Sequence, residues 1–259
     1  MIWMMALAWG RPDVENALKE SQNQKVLYSS HLGEGLESFD PADRFNIEQV
    51  NCMTWLQWVL ARSYVERPTD LPQYLDGIRY YNAEISFGTR KHYVDRWVLL
   101  DPAPLKEIAL PVCQGAQSKV IHLDLQYFKD NHHFQCDLYQ PQFDTFEISY
   151  LSPLEMTACM HQLTDGFYVL FFVGNDQYLK YWGKNGEMGL VHSMILEKNP
   201  QGLWVHHASV DKGAVVKEPW QELQSRLANV AQGYRIYGLM DEWSPRSMTK
   251  IQDTACRSQ

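Results

Sequence analysis

Cysteine is sparse and unpaired in this sequence: Cys52, Cys113, Cys136, Cys159 and Cys256 are spread over 259 residues, with no CxxC spacing among them. An odd number at such distances indicates neither a disulfide framework nor a zinc ribbon, and it leaves at least one thiol free. Positive charge is in short supply, with 23 Lys and Arg against 31 Asp and Glu and a net charge of -8. No basic cluster compensates, so the electrostatic footprint that a phosphate backbone requires is missing, which argues against nucleic acid as a partner. Long apolar runs are missing too. Phe167 to Val173 is typical of the longest, well short of the roughly 20 residues that span a bilayer, so no transmembrane segment is expected. There is no internal repeat, low-complexity tract or long linker. What the chain does have is 45% apolar and 13% aromatic residues, enough to build a substantial core. The expectation is a single domain over residues 1–259 with an insertion at about 68–142.

The opening, through about Tyr28, has helical spacing, and Ser29 to Asp43, with Gly33, Gly35 and Pro41, is loop-like. Within the opening, Met1 to Ala8 is apolar and followed by Gly10-Arg11-Pro12. It has the look of a signal-peptide core without a basic flank, or equally of a first helical turn. Asn51 caps a helix whose positions Cys52, Trp55, Leu56, Val59 and Leu60 follow i, i+3, i+4, i+7, i+8, which predicts one buried stripe. From Pro68 to Gln142 the pattern is irregular, with turn signals at Asp76-Gly77 and Asp101-Pro102-Ala103-Pro104, so loops are expected there. Ser152-Pro153-Leu154-Glu155 is a capping box with proline at the first helical position, opening a helix that ends near Asp165-Gly166. The period then changes to two. Phe167 to Val173, Leu190 to Lys198, Leu203 to Ser209 and Tyr234 to Met240 read as strands, the middle pair joined by the turn Asn199-Pro200-Gln201-Gly202. Helix first and antiparallel sheet afterwards is an α+β pattern.

A thiol in the first turn of a helix sits where unpaired N–H groups and the helix dipole favour thiolate, the nucleophilic form. Those amides can also donate to an oxyanion. Cys52 occupies such a position, although a lone cysteine is more often a small core residue. The hairpin at Asn199–Gly202 supplies the rest of a candidate site. If Lys198 faces Leu203, His192 and His207 share one face and His206 points to the other. His207 can then orient the ring of His192, which serves as base for Cys52. A three-residue loop would flip the parity and select His206. The cluster His122, His132, His133 and Cys136 fits no zinc spacing and reads as a solvated loop, so no metal is assigned.

The segments His31-Leu-Gly-Glu-Gly35, Arg44-Phe45 and Asn51-Cys-Met-Thr54 resemble the nucleophile region of the N-acetylmuramoyl-L-alanine amidase-like proteins, a branch of the NlpC-type papain-like cell-wall hydrolases. Ile78-Arg79-Tyr80, Ile85-Ser86-Phe87, Arg90-Lys91-His92-Tyr93 and Asp95-Arg96-Trp97 are similar to that branch's own insertion. Val191-His192-Ser-Met-Ile195 and Val205-His-His-Ala-Ser209 resemble its two histidine strands. The resemblance runs from about Tyr28 to Gly238. It departs from the family pattern at Asn51, where Asp is preferred, at Gln57, where Glu is preferred, and at Ser193-Met194, where Val-Gly is usual.

The resemblance implies a papain-like NlpC-type core, a nucleophile helix packed on an antiparallel sheet, with a family-specific insertion. It implies Cys52 as nucleophile, His192 as general base and then acid, and His207 as orienter, with no cofactor. Arg79, Tyr80, Arg90, His92, Tyr93, Trp97 and Ser209 would line the substrate cleft: arginine for a carboxylate, aromatic rings for a sugar face. Taken singly, these residues are as well explained by surface ion pairs and a satellite core. The implied activity is metal-independent hydrolysis of the amide between N-acetylmuramic acid and L-alanine in peptidoglycan or its fragments. Cleavage between D-glutamate and the diamino acid of the stem peptide, transfer in place of hydrolysis, and a catalytically silent muropeptide-binding module are the alternatives. Such a substrate implies the bacterial envelope, that is the periplasm, or secretion; fragment recycling in the cytoplasm is compatible with the same residues.

Overall fold

The computed structural model describes residues 12–22, 27–28, 49–81, 89–91, 94–108, 113, 115–122, 145–176 and 189–245. Four helices come first: α1 (Val14–Gln22), α2 (Cys52–Tyr64), α3 (Leu71–Arg79) and α4 (Val94–Leu100). Two short strands, β1 (Leu27–Tyr28) and β2 (Gln49–Val50), pair in parallel just ahead of α2. The helical expectation for Tyr28 is therefore corrected. Leu27 and Tyr28 are two residues of extended chain held by β2, and α1 has already ended at Gln22.

Residues 68–122 hold more regular structure than the irregular sequence pattern predicts. Besides α3 and α4 they contain a short 3-10 turn at Pro68–Asp70, β3 (Leu105–Glu107) and β4 (Gln117–His122). Proline at the start of α3 is compatible with its first turn, where no N–H is needed. Leu75 and Ile78 of α3, and Val94, Trp97 and Val98 of α4, are core residues at helical spacing. The abundance of charged and aromatic residues between them hides that period in the sequence.

The remaining elements are β5 (Thr145–Tyr150), α5 (Pro153–Gln162), β6 (Gly166–Gly174), β7 (Leu190–Asn199), β8 (Gly202–Ser209), β9 (Ala214–Pro219), α6 (Trp220–Leu227) and β10 (Ala231–Leu239). A six-stranded sheet runs β3-β10-β6-β7-β8-β9, and every neighbouring pair in it is antiparallel. β4 and β5 form a separate hairpin. This hairpin docks on the sheet through a bridge between Leu151 and Tyr234. A side chain at Gly233 would lie 2.4 Å from the Leu151 carbonyl oxygen, so the close approach requires glycine there.

Alternation along β6 divides the interior in two. Val169, Phe171 and Val173 face the core built with α1 to α4, while Leu170 and Phe172 face a second core with Met156 and Met160 of α5 and Trp220 and Leu223 of α6. A strand covered on both faces is apolar throughout, as this one is. α2 lies at the centre of the first core and packs against α1, α3, β7 and β8. Thr54 through Ala61 are all buried, so the helix is enclosed on nearly every side and the predicted single stripe is too narrow. Burying each Leu or Val of this kind is worth about 1.5–3 kcal/mol, which anchors the helix and fixes where its N-terminus sits.

The cysteine expectation also changes. Cys113 and Cys159 are joined in a disulfide, with Cα atoms 5.1 Å apart. It links the segment ahead of β4 to α5, and spacing in sequence gives no hint of it because the partners are 46 residues apart. Among the described residues Cys52 is the free cysteine.

Candidate active site

Asn51 caps α2 as its side-chain oxygen accepts from the Thr54 N–H at 2.8 Å, and the Thr54 hydroxyl accepts from the Asn51 N–H at 2.9 Å. This reciprocal capping box starts the helix one residue before the cysteine and places Cys52 at its first position. The end of the helix abuts β7. The hydroxyl of Ser193, a residue with no exposed surface, donates to the Cys52 carbonyl oxygen at 2.8 Å.

Cys52 is partly exposed and touches His192. Burial pushes its thiol up, but the charge of His192, a hydrogen bond to that ring, and the N–H and hydroxyl of Ser193 outweigh it, so the thiol lies below its ordinary value. The register that brings His192 here is the expected one. Lys198 pairs with Leu203 and Ile195 with His206, and the ladder closes one rung further on at Asn199 and Gly202. A β-bulge interrupts the other side of β7, where Phe172 pairs with His192 but Val173 pairs with Leu190. Bulges of this kind re-aim side chains at strand ends.

His192 continues to His207, with Nε2 of the first 2.9 Å from Nδ1 of the second. His207 in turn has its Nε2 2.7 Å from Glu218 Oε1, and both are buried. Glu218 is clamped by two hydrogen bonds from Arg226 of α6. That clamp, with a smaller contribution from His207, holds the Glu218 carboxyl down at about 2. Burial pushes His207 below its usual value although Glu218 pulls it upward. The side chains thus form one file, from Cys52 through His192, His207 and Glu218 to Arg226.

Sequence reasoning missed Glu218 and Arg226. The signal available was Val210-Asp211-Lys212-Gly213, a turn with Gly213 at φ 63° that starts β9 and pairs His207 with Val216. A position two beyond Val216 shares its face, and that position is Glu218. Ser193 appeared only as a departure from the family pattern.

His206, the alternative histidine, lies on the opposite face. Its Nε2 is 2.7 Å from Glu197 Oε2, and its Nδ1 is 2.6 Å from the side-chain nitrogen of Gln22, which ties α1 to the sheet.

The positions expected to bind substrate are distributed differently. Trp97 is fully buried, edge-on to Phe171, with its Nε1–H directed at the Ala103 carbonyl. Such a ring has no free face for a sugar. Tyr80 is also fully buried and bridges Arg90, and the buried Ser209 accepts the Lys212 N–H in the turn between β8 and β9. These three are packed into the fold, and Arg79 and Arg90 are buried as well. Arg79 and Arg90 come together at that bridge, and Arg79 Nε donates to Gln57 Oε1 at 3.2 Å. His92 and Tyr93 lie outside the described residues, as do His31 to Gly35, Arg44-Phe45, His132, His133 and Cys136. Among the described residues no cluster of three His, Cys, Asp or Glu side chains is placed to hold a metal, and no helix is long and apolar enough to cross a membrane.

A thiol at a helix start, an imidazole against it and a buried polar file behind are the parts a thiol-dependent hydrolase uses. A family model for N-acetylmuramoyl-L-alanine amidase-like (AmiA-like) proteins matches residues 28–228, and the chain belongs to that family. No curated protein matches the sequence. Among solved structures, a Legionella pneumophila protein superposes with a TM-score of 0.68 at 16% identity, covering 88% of both chains. An N-acetylmuramoyl-L-alanine amidase from Bacteroides uniformis gives 0.67 at 17% identity, covering 88% of this chain and 99% of that one. At these identities the likeness is one of fold.

Proposed function

We propose that the protein is a metal-independent cysteine amidase that hydrolyses the amide joining the lactyl group of N-acetylmuramic acid to L-alanine, in peptidoglycan or its soluble fragments. The observation that carries this reading is the contact between Cys52, at the start of α2, and His192, whose ring continues into His207. In this reading the helix on its antiparallel sheet is a papain-like NlpC-type core. His192 takes the thiol proton, and the Cys52 sulfur attacks the lactyl carbonyl carbon, with the N–H of Cys52 available to the developing oxyanion. The tetrahedral intermediate collapses as the carbon–nitrogen bond breaks, and His192 returns its proton to the departing alanine amine. Water, deprotonated by His192, then cleaves the thioester and releases a free carboxylate. Arg79 and Arg90 keep the anion-binding role here, with His92 and Tyr93 beside them in sequence. The Cys113–Cys159 disulfide supports an oxidising compartment, the bacterial envelope or the exterior.

Digestion of purified muropeptides by wild type and by Cys52→Ala, with mass spectrometry of the fragments, tests the reading. The expected result is a peptide with a free L-alanine amine from wild type, unaffected by EDTA, and a loss of at least about a thousandfold in Cys52→Ala. Cleavage between D-glutamate and the diamino acid would reassign the bond. Products carrying an added amine would reassign hydrolysis to transfer. No turnover together with an unreactive Cys52 thiol would make the protein a muropeptide-binding module.

A further inference from the structure

We propose that the Glu218–Arg226 pair is a positioning device for the candidate site: it fixes which nitrogen carries the proton in both His207 and His192, leaving His192 Nδ1 bare toward Cys52. The inference rests on the proposed thiol chemistry and adds to it two residues that the sequence motifs do not single out.

The hydrogen bonds run inward from Arg226. Its guanidinium can only donate, and it occupies both oxygens of Glu218. A carboxylate so held stays ionised and can only accept. The His207 nitrogen 2.7 Å from it, Nε2, must therefore carry a hydrogen. A neutral imidazole has one N–H, so Nδ1 of His207 is an acceptor. The ring nitrogen facing that acceptor at 2.9 Å is His192 Nε2, which must then be the donor. His192 is left with its lone pair on Nδ1, the nitrogen free to receive the Cys52 proton. Transfer of that proton from Sγ to Nδ1 gives thiolate and imidazolium, and the imidazolium keeps its Nε2–H bond to His207. Protonation of His207 would instead set two N–H groups against each other, and the burial that keeps His207 neutral prevents this.

The charged groups around this pair come from each adjoining element: His192 on β7, His207 on β8, Asp211 in the turn before β9, and Glu222 and Arg226 on α6. Asp211 and Glu222 both act on Arg226, and neither bonds to His207 in place of Glu218.

Nitrogen-15 NMR of the imidazole rings in the full-length wild-type protein tests the proposal without any variant. The expected spectrum has Nε2–H, Nδ1-acceptor shifts for His207 at pH 7, and a His207 Nδ1–H tautomer would overturn it. The second measurement is the pH profile of Cys52 alkylation by iodoacetamide. Glu218→Gln, whose amide can present a donor to His207, is expected to lower the rate at pH 6 by about tenfold, comparable to the lower end of losses seen when outer partners of metal-ligating histidines are removed. Glu218→Asp should recover part of it. A folded Glu218→Gln protein with an unchanged profile would overturn the proposal. If wild type proves unreactive at Cys52 and inert on muropeptides, the hydrolase reading fails separately, because the ring tautomers are read independently of activity.

Discussion

The two faces of the β7–β8 hairpin carry nearly the same chemistry and lead to different places. On one face His207 is buried and meets Glu218 at 2.7 Å; on the other His206 is buried and meets Glu197 at 2.7 Å. Burial pushes both histidines below their usual value. Each carboxylate also bonds a cation, Arg226 for Glu218 and Lys217 for Glu197. The second ring nitrogen makes the distinction: that of His207 meets His192 and, through it, Cys52, whereas that of His206 meets Gln22 of α1. A buried histidine–carboxylate pair is thus no evidence of a reactive centre. What it connects to decides whether it positions a base or fastens a helix.

That contrast can be broken by substitution. His207→Ala is expected to lower muropeptide hydrolysis by about a hundredfold, because His192 loses the acceptor that fixes its ring. His206→Ala should leave kcat/KM within about twofold and reduce stability by about 1 kcal/mol, read from urea midpoints, since Glu197 keeps Lys217 and Asn199 as partners. Equal effects of the two on kcat/KM would erase the distinction.

Acid should act on both faces together. His206 and His207 have lowered values in the folded state, so the stability they contribute is complete above the unfolded value of 6.5 and is lost as pH falls below it. Glu218, held at about 2 against 4.5 when free, adds a loss that runs from about pH 4.5 down to about 2. Urea midpoints should fall steadily from pH 7 to pH 4, and a midpoint that rose over that interval would refute the assignment. Arg226→Gln sharpens this test by shrinking the loss below about pH 4.5, because it removes the larger of the two holds on Glu218.

The smallest effect is expected at Ser193. Ser193→Ala removes the hydroxyl that holds the Cys52 carbonyl while leaving the backbone N–H in place. About 1 kcal/mol of stability and a few-fold slower alkylation of Cys52 are expected. A change in alkylation alone would show that the hydroxyl acts on the sulfur more than on the helix.

The elements legible in the sequence are those whose signals are local. Asn51 caps its helix ahead of the apolar repeat that starts at Cys52, and Ser152 caps its helix as the spacing to Glu155 dictates. Strands β6 to β8 and β10 follow alternation and the Asn199–Gly202 turn, and with them came the shared face of His192 and His207. The helices α3 and α4 were obscured because buried charge, such as Lys91 paired with Asp101 at 2.8 Å, mimics a solvent-exposed loop in sequence. The burial of Trp97 was hidden for a related reason: an aromatic ring among arginines looks exposed in sequence until its neighbours cover it.

Sequence by itself determined where α2 begins and which residue occupies its first turn, and it narrowed the partner of His192 to one of two adjacent histidines, because capping and strand parity depend on neighbours a few positions away. The observed Lys198–Leu203 register settles that choice. Only the tertiary structure decided that Cys52 meets His192, that Glu218 and Arg226 stand behind His207, and that Cys113 meets Cys159. Those contacts join elements far apart in the chain, and their geometry is set by how helices and strands pack, which no local pattern records.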